Sequence, residues 1–432
     1  MRKLIIAVLM LFIITSVSIS QSKTEFKPEF KIGGTVFSGW EYNAGDAEFI
    51  TKLSSTADAT QSFGFVPTKN QFEISKNSFF VERAYINVWA TLTPQIKARV
   101  TPDIYSYTDG KNATQYAYQL KFAFIEYTPL TTEDGLSLSF TGGVVPNTWV
   151  PNIEKAFGYR TALKTLSDYS WTTGASVTGT TVSRTTASYM STADLGLTAK
   201  LSLPKNYANL SVSVLNGNGY RNLGFDNRFK DILVSGFIYP LAGELAKKMD
   251  AAKKSGKNRI DGVADLTLGG YAYIGKQGNG EQFQNNRFGG MANFKYNFTK
   301  VGFVKVGTEL SLLSNKIPNP NVVDSTVNGR GISAWLEFNP PVEAFGEKLS
   351  LVARYDMFDP NTNKPGTNLS GFNSDNGKQN LLMVGLFFKP ASILTLGLNY
   401  QTTTYEKNFA VKYDGTPTST VSKFVFNTIL DF

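Results

Sequence analysis

Residues 422–432 read Ser-Lys-Phe-Val-Phe-Asn-Thr-Ile-Leu-Asp-Phe, and their chemistry alternates. Phe424, Phe426, Thr428, Leu430 and Phe432 share one parity; Lys423, Asn427 and Asp431 share the other. A period of two belongs to a strand with one apolar and one polar face. An edge strand of a soluble β-sandwich satisfies it. So does a wall strand of a barrel in a bilayer, where the apolar row faces hydrocarbon, the polar row faces a watery lumen and the last aromatic sits in the interfacial girdle.

The rest of the chain favours the barrel. No later segment approaches ~18 consecutive apolar residues, so helical spanning is excluded. The hydrophobic share of 42 % suits strands in which only alternate residues meet lipid, and 32 Phe with 20 Tyr suit aromatic girdles. Strands are expected at 30–42, 78–93, 96–107, 119–128, 136–146, 194–203, 208–216, 229–239, 263–275, 287–298, 302–314, 330–339, 349–358, 380–389, 393–406 and 422–432, about 16 in all, an even number as bacterial barrels have. Strands 229–239 and 380–389 alternate poorly, and their facing is left undecided. The expected fold class is therefore an all-β transmembrane antiparallel barrel. Its odd connections (44–77, 108–118, 147–193, 217–228, 276–286, 315–329, 359–379, 407–421) are long, as extracellular loops are. Most even ones, such as 94–95 and 390–392, are tight. Pro94, Pro129, Pro204, Pro340, Pro341 and Pro390 stand where strands must stop. One even connection departs: 240–262 holds a helix-like run over 241–257. It reads as a solvated periplasmic turn, or as a segment that binds a partner or blocks the mouth.

Residues 1–20 carry Arg2 and Lys3, an apolar run from Leu4 to Ile14, and Ser18 and Ser20 as a cleavage pattern. This reads as a secretory signal peptide, with a membrane-anchoring helix as the alternative. Residues 21–432 then form one barrel domain, with no plug or appended globular domain expected. The chain has no Cys, so no lipid anchor through an N-terminal cysteine is expected, and no His, so every Ser–His nucleophile and every His metal site is removed. No enzyme activity, metal or cofactor is expected. The net charge of +9 falls by two with the leader; it is diffuse, and no basic helix or aromatic platform points to nucleic acid.

By parity the inward cations are Lys31, Arg83, Lys97, Arg99, Lys121, Lys200, Arg287, Lys295, Lys305, Arg354 and Lys423. The inward acids are Glu41, Asp103, Asp265, Glu309, Glu337, Asp356 and Asp431. A charge on the lipid side costs ~2–4 kcal/mol at mid-depth, which constrains these assignments. The longest connection, 147–193, mixes charge with aromatics from Ile153 to Tyr169, as a loop folded into a barrel needs; a surface lid is the alternative. The expected selectivity set is Arg83, Lys97, Arg99, Lys121, Lys200, Lys305 and Arg354 on the strands with Lys155, Arg160 and Lys164 on this loop. The competing reading is that such groups pair with acids across the wall. Arg83 and Arg99 are expected to tolerate Glu because a lumen charge stays in water. The Asp359-Pro-Asn-Thr-Asn-Lys and Asn373-Ser-Asp-Asn-Gly stretches read as turn chemistry rather than calcium loops.

The run Phe80-Val81-Glu82-Arg83-Ala84-Tyr85-Ile86, the Lys97/Arg99 strand ending at Asp103, the Pro390-to-Tyr400 turn and strand, and Phe432 together resemble the phosphate-selective porins of the O and P type. The resemblance implies an outer-membrane homotrimer, passive diffusion of small hydrophilic solutes, and anion selectivity set by Arg and Lys in the pore. Phe432 also resembles the C-terminal signal that barrel assembly machinery reads. The rival class is a closed outer-membrane barrel that binds or adheres through its long loops.

Overall fold

Sixteen antiparallel strands pair in sequence order, and the last pairs with the first to close a barrel. They are β1 (Glu29–Asn43), β2 (Asn77–Thr91), β3 (Ile96–Thr108), β4 (Thr114–Thr131), β5 (Ser137–Pro146), β6 (Ala193–Ser202), β7 (Ala208–Leu215) and β8 (Asp231–Ile238). The second half continues with β9 (Val263–Gln277), β10 (Phe283–Asn297), β11 (Phe303–Lys316), β12 (Thr326–Asn339), β13 (Leu349–Asp359), β14 (Gln379–Ala391), β15 (Leu394–Tyr405) and β16 (Thr420–Asp431). This computed structural model describes residues 26–44, 47–49, 77–108, 114–178, 181–221, 229–255, 262–277, 283–298, 302–316, 326–360, 362, 378–406, 410–412 and 417–432. The proposed leader 1–20, most of the 44–77 loop and most of the 359–377 turn residues lie outside them. All sixteen expected strands are present, with ends displaced by five residues at most.

The alternation works as the sequence implies. In β16, Phe424, Phe426 and Leu430 point outward and are exposed, while Val425 and Asn427 point inward and are buried. In β15, Leu398 is outward while Asn399 and Gln401 are buried inside. No helix among the described residues is long and apolar enough to cross a membrane. β8 and β14 are the informative exceptions. Their outward rows are apolar (Ile232 and Ile238; Leu382, Val384 and Leu386), and their buried inward rows carry large apolar side chains (Leu233 and Phe237; Leu381, Met383 and Phe387) beside the polar Asp231, Ser235 and Gln379. Large apolar side chains stand on both faces because part of the inner one packs against protein rather than water.

At the short-connection end, Thr93 stops the β2–β3 turn: its Oγ1 accepts from the N–H groups of Gln95 (3.2 Å) and Ile96 (3.0 Å). The β8–β9 connection at this same end contains a helix, Ala242–Lys254, inside the stretch expected to be helical. The seam between β16 and β1 ends at Phe432, whose N–H donates to Gly34 O (3.0 Å) and whose carbonyl accepts from Gly34 N–H (2.7 Å). The Phe432 ring lies over Gly34, where a Cβ would stand 2.5 Å from a ring carbon, so a side chain there would have to displace the ring.

A closed barrel has no free edge at which unfolding begins. Unboiled protein in detergent is therefore expected to migrate differently from boiled protein on a denaturing gel. Equal migration, with no strong β-signal in circular dichroism, would contradict the closed architecture.

Candidate pore and its constriction

The connection between β5 and β6 folds into the barrel. It opens with a helix, Val150–Phe157, that has Pro151 in its first turn and Gly158 (φ 87°) beyond its last. Asn147 Oδ1 accepts from the N–H groups of Trp149 (2.8 Å) and Val150 (3.1 Å), taking the place of an N-cap side chain. Val150, Ile153 and Phe157 form the buried face at helical spacing. Further on, Trp171–Thr178 and Thr181–Ala187 pair as a two-stranded ribbon.

The loop packs on inward residues of the wall. Trp149 stacks on Phe237 at 5.3 Å and meets Tyr271 at 4.6 Å; Trp171 stacks on Phe358 at 4.9 Å; Tyr159 meets Phe387 at 4.3 Å. Trp149, Val150, Ile153, Leu166 and Trp171 are fully buried in one cluster with these wall residues. The surface-lid alternative is thereby set aside.

A loop buried this deeply must place its carbonyl groups. Wall side chains supply the donors. Lys305 Nζ donates to Phe157 O (2.9 Å), Asn427 Nδ2 to Thr161 O (3.1 Å), Gln401 Nε2 to Ala162 O (2.7 Å) and Arg354 Nη1 to Leu163 O (3.5 Å). Lys305 also pairs with Glu337 at 2.5 Å, and Arg354 with Asp356 at 2.8 Å. Fully buried Glu309 accepts from Trp149 Nε1 at 3.2 Å and from Ser167 Oγ.

What the loop leaves is a series of cavities along the β1–β7 side and the short-connection end. The outer one, about 210 Å³, is lined by Arg83, Arg160, Lys164, Arg221, Asp168 and Tyr220 among others. The middle one, about 630 Å³, is lined by Tyr85, Arg99, Lys121, Glu126, Glu154, Lys200 and Asp431 among others. Arg160 and Thr192 belong to both walls and mark the joint between them. The third, a vestibule of about 970 Å³, shares Asn152, Gly158, Lys200 and Asn209 with the middle cavity.

The joint is a charged waist. Arg160 pairs with Glu154 and, at 3.4 Å, with Asp168, and reaches Tyr85 Oη at 3.4 Å. On the facing wall Arg83 Nη1 lies 2.8 Å from Asp103 Oδ2 and 3.0 Å from Tyr220 Oη, and Lys121 Nζ donates to Tyr85 Oη at 2.9 Å. Mutually neutralised cations and acids of this kind leave a polar path whose sign depends on the remainder.

Solved structures share this architecture. The outer membrane channel DcaP of Acinetobacter baumannii matches 96 % of this chain and 100 % of its own, with a TM-score of 0.50 and 10 % identity. An anion-selective porin from Comamonas acidovorans matches 94 % of this chain and 100 % of its own, with a TM-score of 0.50 and 8 % identity. The fold is that of outer-membrane channels. At such identities the likeness shows the fold alone. No protein-family model matches the chain, and no curated protein matches it.

The ten cations singled out from the sequence occupy five settings. Arg160 and Lys164 line the outer cavity with Arg83, and Arg99 and Lys121 line the middle one. Lys155, Lys200 and Lys305 line the vestibule. Lys97 is exposed at the short-connection rim, opposite Glu126 in register. Arg354 is 2 % exposed beneath the loop and lines none of these cavities. Arg83 is likewise buried against Asp103, so an exchange for Glu there meets a buried carboxylate rather than the water assumed from parity. Lys121 owes its place to a bulge: the register skips it between the Thr101–Phe122 and Pro102–Leu120 pairs, and both Lys121 and Phe122 turn inward. Lys205 and Lys389, not chosen from the sequence, also line the vestibule.

Proposed function

We propose that this protein is a bacterial outer-membrane porin, a water-filled channel for passive diffusion of small hydrophilic solutes, with a mild preference for anions such as phosphate. The observation that carries the reading is the loop inside the barrel, which leaves three cavities with shared walls, each lined by more cations than acids. The likeness to outer-membrane channels supports the same location. On this reading the leader directs export, the barrel sits in outer-membrane lipid with its short-connection end in the periplasm, Phe432 engages the assembly machinery, and three copies associate. Deleting Phe432 removes both Gly34 hydrogen bonds and is expected to slow membrane assembly; normal outer-membrane levels and rate would refute that role.

The deciding experiment is planar-bilayer recording. Discrete conductance steps are expected, with reversal potentials in a KCl gradient showing weak anion preference. A barrel that inserts and passes no current would instead be a closed one, with Arg160 and its two carboxylates shutting the joint and the loops free to serve as a binding surface.

A further inference from the structure

The vestibule is amphipathic, which a path for simple inorganic ions does not require. One wall carries Lys155, Lys200, Lys205, Lys295, Lys305 and Lys389; the acids Asp265, Glu337 and Glu347 stand in the same lining, Glu337 paired with Lys305, so three positive charges remain in excess. The other is the helix Ala242–Lys254, which turns Ala242, Leu245, Ala246 and Met249 toward the cavity, a stripe at helical spacing. No residue of this helix is buried, and Met249 is 53 % exposed, so packing within the protein does not use up the stripe. Its polar residues, among them Lys247 and Lys248, lie off the stripe, and Lys248 Nζ ties the helix down through Gly262 O at 2.9 Å. Tyr159, Tyr239 and Phe303 add ring surface to the same lining. At about 970 Å³ the space reaches the upper range of sites that hold drug-sized molecules.

We infer that the vestibule binds amphiphilic anions: solutes with one carboxylate-like head and a short apolar tail, the head among the lysines and the tail along the helix stripe. The inference rests on the channel reading for the solute's route. It goes beyond that reading because a small inorganic anion engages the lysines and leaves the stripe in water. Wall lysines attract any anion of suitable charge; the stripe adds a term that grows with tail length. A fully covered methylene tightens binding about fourfold, and one left half in water about twofold.

The test is calorimetric titration of full-length protein in lipid nanodiscs with the linear carboxylates from acetate to octanoate, empty nanodiscs serving as the blank. Affinity is expected to rise about two- to fourfold per added methylene. The rise should flatten in the helix variant Leu245→Ser/Met249→Ser and weaken uniformly along the series in Lys200→Gln/Lys389→Gln. Octyltrimethylammonium, with the same tail and the opposite charge, is expected to bind at least tenfold more weakly than octanoate. A flat series overturns the inference, as does a rising series untouched by the helix variant or equal binding of the cationic amphiphile. The titration needs no open path. Bilayer recording of the same preparation therefore separates the two outcomes: a conducting protein with a flat series sinks the amphiphile site alone, and a bound series without conductance sinks the channel alone.

Discussion

Replacing Trp149 with Ala is expected to release the inserted loop while the barrel stays closed. Trp149 is fully buried, stacked on Phe237 and tilted against Tyr271, with its indole N–H shared between Ser167 and Glu309. Truncating a buried Trp costs about 3–5 kcal/mol through lost contacts and the cavity left behind. Here the substitution also strips a donor from Glu309, whose Oε2 already lacks a protein partner. The cost falls on loop docking, because the strand ladders do not involve this side chain. Each 1.4 kcal/mol is tenfold in an equilibrium, so the undocked fraction rises by roughly two to three and a half orders of magnitude. Single-channel recordings should show larger and noisier conductance, and proteolysis of intact cells or proteoliposomes should cut within 147–192. Heat-modifiable migration should persist. Wild-type conductance together with wild-type protease resistance would show that the loop is held by other contacts and that Trp149 is not its anchor.

Much of the barrel was legible because a bilayer imposes a strict rule on each strand. Where one row met lipid and the other met water, as in β15 and β16, parity gave the facing directly. The rule loses its signal where a third environment enters. The inner rows of β8 and β14 meet protein as well as water, so large apolar side chains stand on both faces and the alternation blurs. Read the other way, two-sided apolar strands in a barrel mark where something docks inside; that signal was present in Leu233, Phe237, Leu381, Met383 and Phe387. Undecided facing in β14 also hid Lys389. The loop helix could have been found from Pro151 and Gly158 seven residues apart, with Val150, Ile153 and Phe157 between and before them.

Charge posed a different difficulty. Parity separates inside from outside, but inside is not the same as wet. Arg354 and Lys305 are inward as expected, yet each spends donors on a loop carbonyl and a neighbouring carboxylate. Breaking such buried pairs from one side costs about 3–5 kcal/mol, so these residues are poor places to probe selectivity. No strand-local pattern could reveal this, since the loop atoms they bind lie 148 and 191 residues away in sequence.

Selectivity is better tested on the loop itself, and Lys164 is the place to begin. It lines the outer cavity with Arg83, Arg160 and Arg221, against Asp168 as the acid in that lining. Lys164→Glu removes one of the four lining cations and adds a second lining acid, a change of two charges at a place where Arg83 and Arg160 are already paired with carboxylates. A unit charge at about 4 Å in water-like surroundings is worth roughly 1 kcal/mol to a passing ion, close to a fivefold change in its local concentration. The anion-to-cation permeability ratio is therefore expected to drop severalfold, most strongly in dilute electrolyte, because salt screens the effect over about 8–10 Å near physiological strength. A pH series adds an independent signature. Burial lowers the pKa of Lys164 from the ordinary lysine value, and the nearby Arg83 and Arg160 lower it further, while Asp168 and Glu82 oppose them. A lysine is charged below its pKa and loses that charge as pH rises through it, so the wild-type channel should lose part of its anion preference at a pH below the usual lysine range of about 10.4. The Lys164→Glu channel has no such group and should lack that step. Unchanged reversal potentials in the variant, or a wild-type profile flat up to the ordinary lysine range, would show that ions bypass this part of the loop and that the sign of the pore is set in the middle cavity or the vestibule.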